Sequence, residues 1–323
     1  MKRYIAGFLL LFIWNGMISV YSQSDRFKVV GYISIRAAMD DENKIPFERL
    51  THVNLWFLNP DSAGEFHLDI PALLPFVEKA HKKHTMVLFS IGGGSKQPQY
   101  HHLLQDANRA GLIKNLMQVV KDSGADGIDV DLEGSDIDEN YEKFVGELAT
   151  ALHAQNKLLT AAVAVYYKEK MTDKVLGYYD FVNVMSYDRT GPWRPEKPGP
   201  HSTYDHAVED LTYFGVERGI APEKMTLGVP FYGYGFGNSP EIKPVSMSFS
   251  KIAEQYPGAV QADEWKMEDG KTLYYNGIPT MRRKTALAAE KASGIMIWQV
   301  MGDAPGKNSL LRAIHKSGKK YRK

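Results

Sequence analysis

Asp126-Gly127-Ile128-Asp129-Val130-Asp131-Leu132-Glu133 is the stretch that decides the fold. The residues between the acids are apolar or small, which predicts a strand over 127–133. In a strand, alternate residues share a face. Asp129, Asp131 and Glu133 then stand on one face, roughly 6.6–7 Å apart along the strand. A row of three carboxylates on a core-type strand is costly, because like charges repel and burial penalises each charge. Such a row points to acid–base chemistry in which one carboxyl keeps its proton. An acid-rich loop and a metal site built of oxygen ligands are the other readings, and the intervening Ile128, Val130 and Leu132 argue against both.

Working outward, apolar runs at 28–33, 52–58, 85–91, 127–133, 158–166, 181–187, 225–232 and 294–300 predict eight strands. Between them, apolar residues recur at helical spacing over 70–83, 107–123, 139–155, 204–218 and 281–293; Phe144, Leu148, Ala151 and Leu152 illustrate it. The second and seventh links read as short or broken helices. Strand and helix alternating eight times predict an α/β fold, a single parallel (β/α)8 TIM barrel, with a doubly wound open sheet as the alternative. A chain of 323 residues suits the barrel. Barrel active sites lie at the C-terminal ends of the strands. Polar and aromatic residues gather at those ends here: Tyr32, Phe57, Ser90, Glu133, Tyr187 with Asp188, Tyr232, and Trp298 with Gln299.

Composition narrows the function. The net charge is +1 and no long basic or acidic run dominates, which argues against nucleic acid as the main partner. The absence of cysteine excludes disulfides, thiolate catalysis and cysteine-ligated zinc. Lys2 and Arg3 precede an apolar run from Ile5 to about Val20, then Tyr21-Ser22-Gln23-Ser24. This is the pattern of a secretory signal over residues 1–22, with cleavage after Ser22, leaving 23–323 as one catalytic domain. Loss of Lys2 and Arg3 takes the net charge from +1 to −1. The run contains Asn15 and two glycines and falls short of the ~20 residues a membrane span needs. The expectation is an exported monomer in periplasm, on the surface or in the medium, with no stable membrane insertion.

Within the row, Glu133 stands nearest the barrel mouth and is the candidate to protonate a leaving group. Asp131, one inward step deeper, can orient a substrate group or stabilise positive charge. Asp129, deeper still, is expected to be buried and to share a proton with Asp131. Asp126 lies outside the inward set and reads as a turn or capping residue. Ser90-Ile91-Gly92-Gly93-Gly94 follows a strand but lacks P-loop and dinucleotide spacings, so the glycines read as clearing space beside the carboxylates. Asn183, Met185 and Tyr187 share a face, and the Tyr187 phenol can reach a substrate carbonyl. Simple alternation sends Asp188 to the other face unless the strand breaks there. Trp298, Trp193, Trp56, Tyr232 and Tyr234 are candidate platforms for sugar faces. His81, His84, His101 and His102 fit no metal-binding signature and read as helix surface. Lys319, Lys320, Arg322 and Lys323 read as a frayed tail. No cofactor is expected.

These motifs resemble glycoside hydrolase family 18, the chitinase family. Asp126-x-x-Asp129-x-Asp131-x-Glu133 is similar to its D-x-x-D-x-D-x-E signature, Ser90-x-Gly92-Gly93 to its S-x-G-G, and Met185-x-Tyr187-Asp188 to its M-x-Y-D. Trp298 fits the tryptophan of its last strand. The resemblance covers residues 27–316. It implies Glu133 as general acid and the substrate's own N-acetyl oxygen as nucleophile, with retention of configuration. It implies that Asp131 orients the acetamido N–H with support from Asp129, that Tyr187 bonds the acetamido carbonyl, and that Asp188 helps hold the distorted sugar. Tyr32, Phe57, Ser90, Gly92, Gly93, Met185, Trp193, Tyr232 and Trp298 are then the expected substrate-binding set, Trp298 forming the floor. Many family members carry an α+β insertion between strands seven and eight. Here 235–293 spans that interval, 59 residues including a helix, so a small or absent insertion, an open groove and endo action are expected. The implied substrate is chitin or another N-acetylglucosamine oligosaccharide. The alternatives are an endo-β-N-acetylglucosaminidase on N-glycan cores, which usually diverges at M-x-Y-D, and a lectin, which usually lacks the acid. A glycan-binding surface component of an uptake system is compatible with either enzyme.

Overall fold

The computed structural model describes residues 27–40, 44–238 and 242–321. The leader read over 1–22 lies outside them. The strands are β1 (Lys28–Ser34), β2 (His52–Trp56), β3 (Met86–Gly93), β4 (Gly127–Leu132), β5 (Leu158–Val163), β6 (Phe181–Val184), β7 (Met225–Pro230), β8 (Tyr232–Phe236), β9 (Val245–Ser248), β10 (Glu264–Lys266), β11 (Thr272–Tyr274) and β12 (Gly294–Trp298). β1 to β7 and β12 close a barrel in which each strand lies beside its neighbour in chain order and β12 joins β1 to β7. All eight of these pairings are parallel.

Alternation along each strand sorts its side chains between two cores. In β4, Ile128, Val130 and Leu132 join the apolar layer between the barrel and its helices, while Asp129 and Asp131 point inward. In β1, Val29 and Ile33 face the helices, and Val30 and Tyr32 fill the interior with Phe181, Tyr187 and Met296.

The helices Ile70–Lys82, Arg109–Ser123, Tyr141–His153, Tyr204–Thr212 and Ile278–Lys291 cover the barrel. The expectation of broken helices in the second and seventh links is corrected. The second holds an unbroken helix, because Asp69 accepts the Ala72 N–H at 3.1 Å and Leu73, Phe76, Val77 and Ala80 supply a continuous apolar stripe. The seventh holds Ile278–Lys291, starting three residues before the sequence pattern suggested. Short helices stand alone after β1 (Ile35–Asp40) and between β5 and β6 (Asp173–Tyr178), and accompany a longer helix in the third link (Gln99–Leu103) and the seventh (Phe249–Gln255).

The sequence run 225–232 is two strands. β7 stops at Pro230, and β8 starts an antiparallel sheet of order β10-β11-β8-β9, with helix Phe249–Gln255 beside it. The insertion is therefore present and small. Asp126 accepts the Val87 N–H at 2.7 Å and pairs with His81 at 2.8 Å, a structural tie at the strand's start. His101 lies 3.0 Å from Asp138. Lys319–Tyr321 form a last helical turn. Among the described residues, no helix is long and apolar enough to cross a membrane.

Candidate active site

Parallel register delivers the first layer. Asp129 of β4 lies level with Ser90 of β3 and Thr160 of β5. Fully buried, its carboxylate accepts the Tyr32 hydroxyl at 2.6 Å, Ser90 Oγ at 2.8 Å, Thr160 Oγ1 at 2.6 Å and Asn183 Nδ2 at 3.2 Å. Burial pushes its pKa up and these four donors pull it back down, leaving it above the ordinary value. Neutral donors thus fill both oxygens, and among the described residues no hydrogen bond joins Asp129 to Asp131. The expected shared proton is corrected: the two acids interact through space.

Asp131, one layer nearer the mouth, differs. It is buried, and its Oδ1 has no hydrogen-bond partner among the described residues. Burial, then the charges of Glu133 and Asp129, hold its pKa well above the carboxylate range. Glu133 follows β4 in extended backbone (φ −121°, ψ 153°), so alternation continues and its carboxyl reaches the cavity. Burial, then Asp188 and Asp136, raise it from 4.5 to about 7. A carboxyl of that pKa is about half protonated near neutral pH, so the acid form is available to donate its proton and the base form to take one up.

Glycine makes room for the row. Gly92 has φ +100°, and a Cβ there would fall 2.5 Å from the Asp131 carbonyl oxygen. At Gly93, with φ +103°, it would fall 2.4 Å from the Phe57 ring. Phe57 and Trp298 stack with centroids 5.8 Å apart and form one wall; Trp56 and Tyr32 lie behind Trp298 at 5.3 and 5.4 Å.

The opposite wall comes from the end of β6. The strand stops at Val184, and Asp188 adopts φ +60°, a left-handed conformation that aspartate tolerates better than most residues. This break brings Tyr187 and Asp188 to the same cavity against simple alternation. Burial keeps the Tyr187 phenol protonated and therefore a donor. Asp188 accepts the hydroxyls of Tyr232 at 2.6 Å and Tyr234 at 3.1 Å, and His201 Nδ1 lies 3.1 Å from it.

The cavity measures about 460 Å³ and has Asp131 and Glu133 on one side and Tyr187 and Asp188 on the other. Of the expected substrate-binding set, Phe57, Met185, Trp193 and Trp298 line it. Tyr32, Ser90, Gly92, Gly93 and Tyr232 do not. Tyr32 and Ser90 are fully buried against Asp129, the two glycines give space, and Tyr232 commits its hydroxyl to Asp188. Tyr32 and Ser90 stand behind the site, their hydroxyl protons given to Asp129 in full burial, and Tyr232 supports Asp188 from beside it.

Sequence reasoning missed Tyr166, Arg189, Arg194 and His201. Tyr166 lines the cavity, 52% exposed, and donates to the Tyr187 carbonyl at 2.8 Å. It ended the fifth predicted strand, so the strand-end rule applied to it as well. Arg189 lines the cavity but forms an ion pair with buried Asp210. His201 carries no sequence signal; the loop that returns it to Asp188 is visible only in the fold.

A family model described as "Glycosyl hydrolases family 18" matches residues 28–303. A chitinase, ChiB, from the chitin utilization locus of Flavobacterium johnsoniae is 34% identical, with a TM-score of 0.83 over 92% of this chain and 95% of that one. A Cycas revoluta chitinase solved with (GlcNAc)3 is 22% identical, with a TM-score of 0.77 over 91% of this chain and 99% of that one, a likeness of fold. A chitinase-like effector of Moniliophthora roreri is 26% identical over 73% of this chain and 66% of its own length. With the barrel closed and the family model matched across it, the chain belongs to glycosyl hydrolase family 18, the chitinase-type glycoside hydrolases.

Proposed function

We propose that the cavity cleaves β-1,4 linkages between N-acetylglucosamine units with retention of configuration, using the substrate's acetamido oxygen as nucleophile. Glu133 donates its proton to the glycosidic oxygen and then, as carboxylate, deprotonates the incoming water. The observation that carries this is the pairing of Glu133, raised to about 7, with a buried Asp131 oxygen that lacks a protein partner among the described residues. Asp131 lines the cavity beside Glu133, and its buried oxygen has no protein partner among the described residues. Turning the carboxyl towards a substrate group therefore breaks no hydrogen bond of that oxygen, and the acetamido N–H is a donor of the right kind. The Tyr187 hydroxyl on the facing wall can hold the acetamido oxygen while it attacks the anomeric carbon. No protein carboxylate is then needed as nucleophile, and Asp129, saturated by four donors, is not one.

The test compares chitin oligosaccharides with an N-glycoprotein on residues 23–323, with Glu133→Gln as the control. Short products from the chitin series, lost in the variant, support the reading. Release of whole N-glycans with the chitin series untouched moves the substrate to glycoproteins, and binding without turnover leaves a lectin.

The small insertion supports endo action in an open groove. Trp193, 58% exposed on the rim, meets Tyr234 edge-on at 5.7 Å. Trp193→Ala is expected to raise KM for long oligomers by roughly three- to tenfold, the worth of an aromatic contact, with kcat nearly unchanged. Steady-state kinetics on a length series checks it. We also place the enzyme outside the cytoplasm, on the strength of the charged and apolar segments of residues 1–22; Edman sequencing of the mature chain is expected to begin at Gln23, and an intact Met1 would contradict it.

A further inference from the structure

Lys284, on helix Ile278–Lys291, is completely buried and faces no substrate. Its ammonium donates to the Ser202 carbonyl at 2.9 Å and to Ser202 Oγ at 2.7 Å. Burial lowers its pKa to about 7 against the pull of Asp263 in the insertion and Asp210 on helix Tyr204–Thr212, and His206 of the same helix feels its charge. Keeping an ammonium in such a place is costly, so its contacts matter.

Both contacts fall on one residue, and that residue is a junction. The Ser202 carbonyl also accepts Asn276 Nδ2 at 2.8 Å. The Ser202 hydroxyl donates to the Ser186 carbonyl at 2.7 Å, beside Tyr187. One residue earlier, the His201 carbonyl accepts the Arg189 N–H at 3.1 Å. The His201 ring lies against Tyr232 and Tyr234, centroids 5.1 and 4.7 Å away, the two tyrosines that share Asp188 with it. Lys284, Ser202 and His201 thus form a continuous tie from an outer helix to Asp188.

We propose that Lys284 is a positioning residue: by clamping Ser202 to the end of β6 it holds His201, and through it Asp188, in place across the cavity from Glu133. This rests on the hydrolytic reading of the site. Asp188 is one of the charges, with Asp136, that raise Glu133, so a displaced Asp188 changes the proton donor itself. A purely structural lysine would affect stability and leave that donor untouched.

The test makes Lys284→Met and Ser202→Ala in the full chain. It measures kcat and KM on an N-acetylglucosamine oligomer, the thermal midpoint, and the Glu133 titration by carboxyl-carbon NMR. The expected result is a roughly ten- to hundredfold loss of kcat in Lys284→Met, the cost of misplacing a catalytic group by about 1 Å. KM is expected to change little, and Glu133 to titrate at lower pH than in the wild type. Ser202→Ala, which removes one hydroxyl, is expected to move kcat and the titration in the same direction, and the double variant to fall no further than Lys284→Met alone. Wild-type kcat and wild-type Glu133 titration in both single variants, whatever the midpoints, overturn the proposal. If Lys284→Met does not fold, Ser202→Ala decides. A wild type without turnover would sink the hydrolytic reading, and the Glu133 titration would still decide the clamp.

Discussion

Glu133→Gln is expected to lower kcat on N-acetylglucosamine oligomers by roughly 10²- to 10⁴-fold, the contribution of a placed general acid. Glutamine keeps the shape and the hydrogen-bonding reach but has no proton to give. The wild-type profile should show the same residue. Glu133 works protonated in the first step, so activity falls as pH rises through about 7, the value to which burial and the charges of Asp188 and Asp136 raise it. Stability carries a second signature. The folded carboxyl holds its proton more tightly than the ordinary 4.5, so the folded state binds more protons between about 4.5 and 7 and loses stability as pH rises across that window. Glutamine does not titrate. Its thermal midpoint should therefore match the wild type most closely at the acid end and exceed it increasingly towards pH 7. Scanning calorimetry of both proteins at several pH values checks this, and a gap that shrinks with rising pH would contradict it.

Asp131→Asn is expected to cost roughly 10²- to 10³-fold in kcat with little change in KM, the pattern of an interaction made chiefly in the transition state. Asp131 is buried, flanked by two other acids, and has one oxygen that the described protein leaves unpaired. Such a group is unfavourable until a substrate donor meets it and positive charge develops nearby. Asparagine cannot become negative as positive charge develops and, in either flip, cannot present two acceptors. It also relieves repulsion, so its thermal midpoint is not expected to fall. Loss of kcat together with loss of fold would instead mean that Asp131 is a structural acid.

The chemistry of β4 was legible because it depends on alternation alone. Ile128, Val130 and Leu132 facing the helices force Asp129, Asp131 and Glu133 to the interior. The barrel was legible for a similar reason: eight apolar runs separated by helical spacing leave few other topologies. What the sequence hid depends on contacts between distant segments. Tyr32, Ser90, Thr160 and Asn183 converge on Asp129 from four strands, and no local pattern shows that their hydrogen bonds are taken. Tyr232 reads as a candidate sugar platform because it stands at a strand end with other aromatics near the site, but its hydroxyl is committed to Asp188. Asp188 itself depends on a left-handed residue at the break of β6, which alternation cannot anticipate. Lys284 disappeared into a helical stripe, since a lysine among apolar residues reads as solvent-facing until its burial is seen.

The anomeric configuration of the first-formed product, followed by proton NMR within the earliest minutes of hydrolysis of an N-acetylglucosamine oligomer, tests substrate-assisted cleavage most directly. The β-anomer is expected, because attack by the acetamido oxygen and then by water inverts the centre twice. An initial α-anomer would mean a single displacement by water, and would contradict both attack by the substrate's acetamido group and its orientation by Asp131.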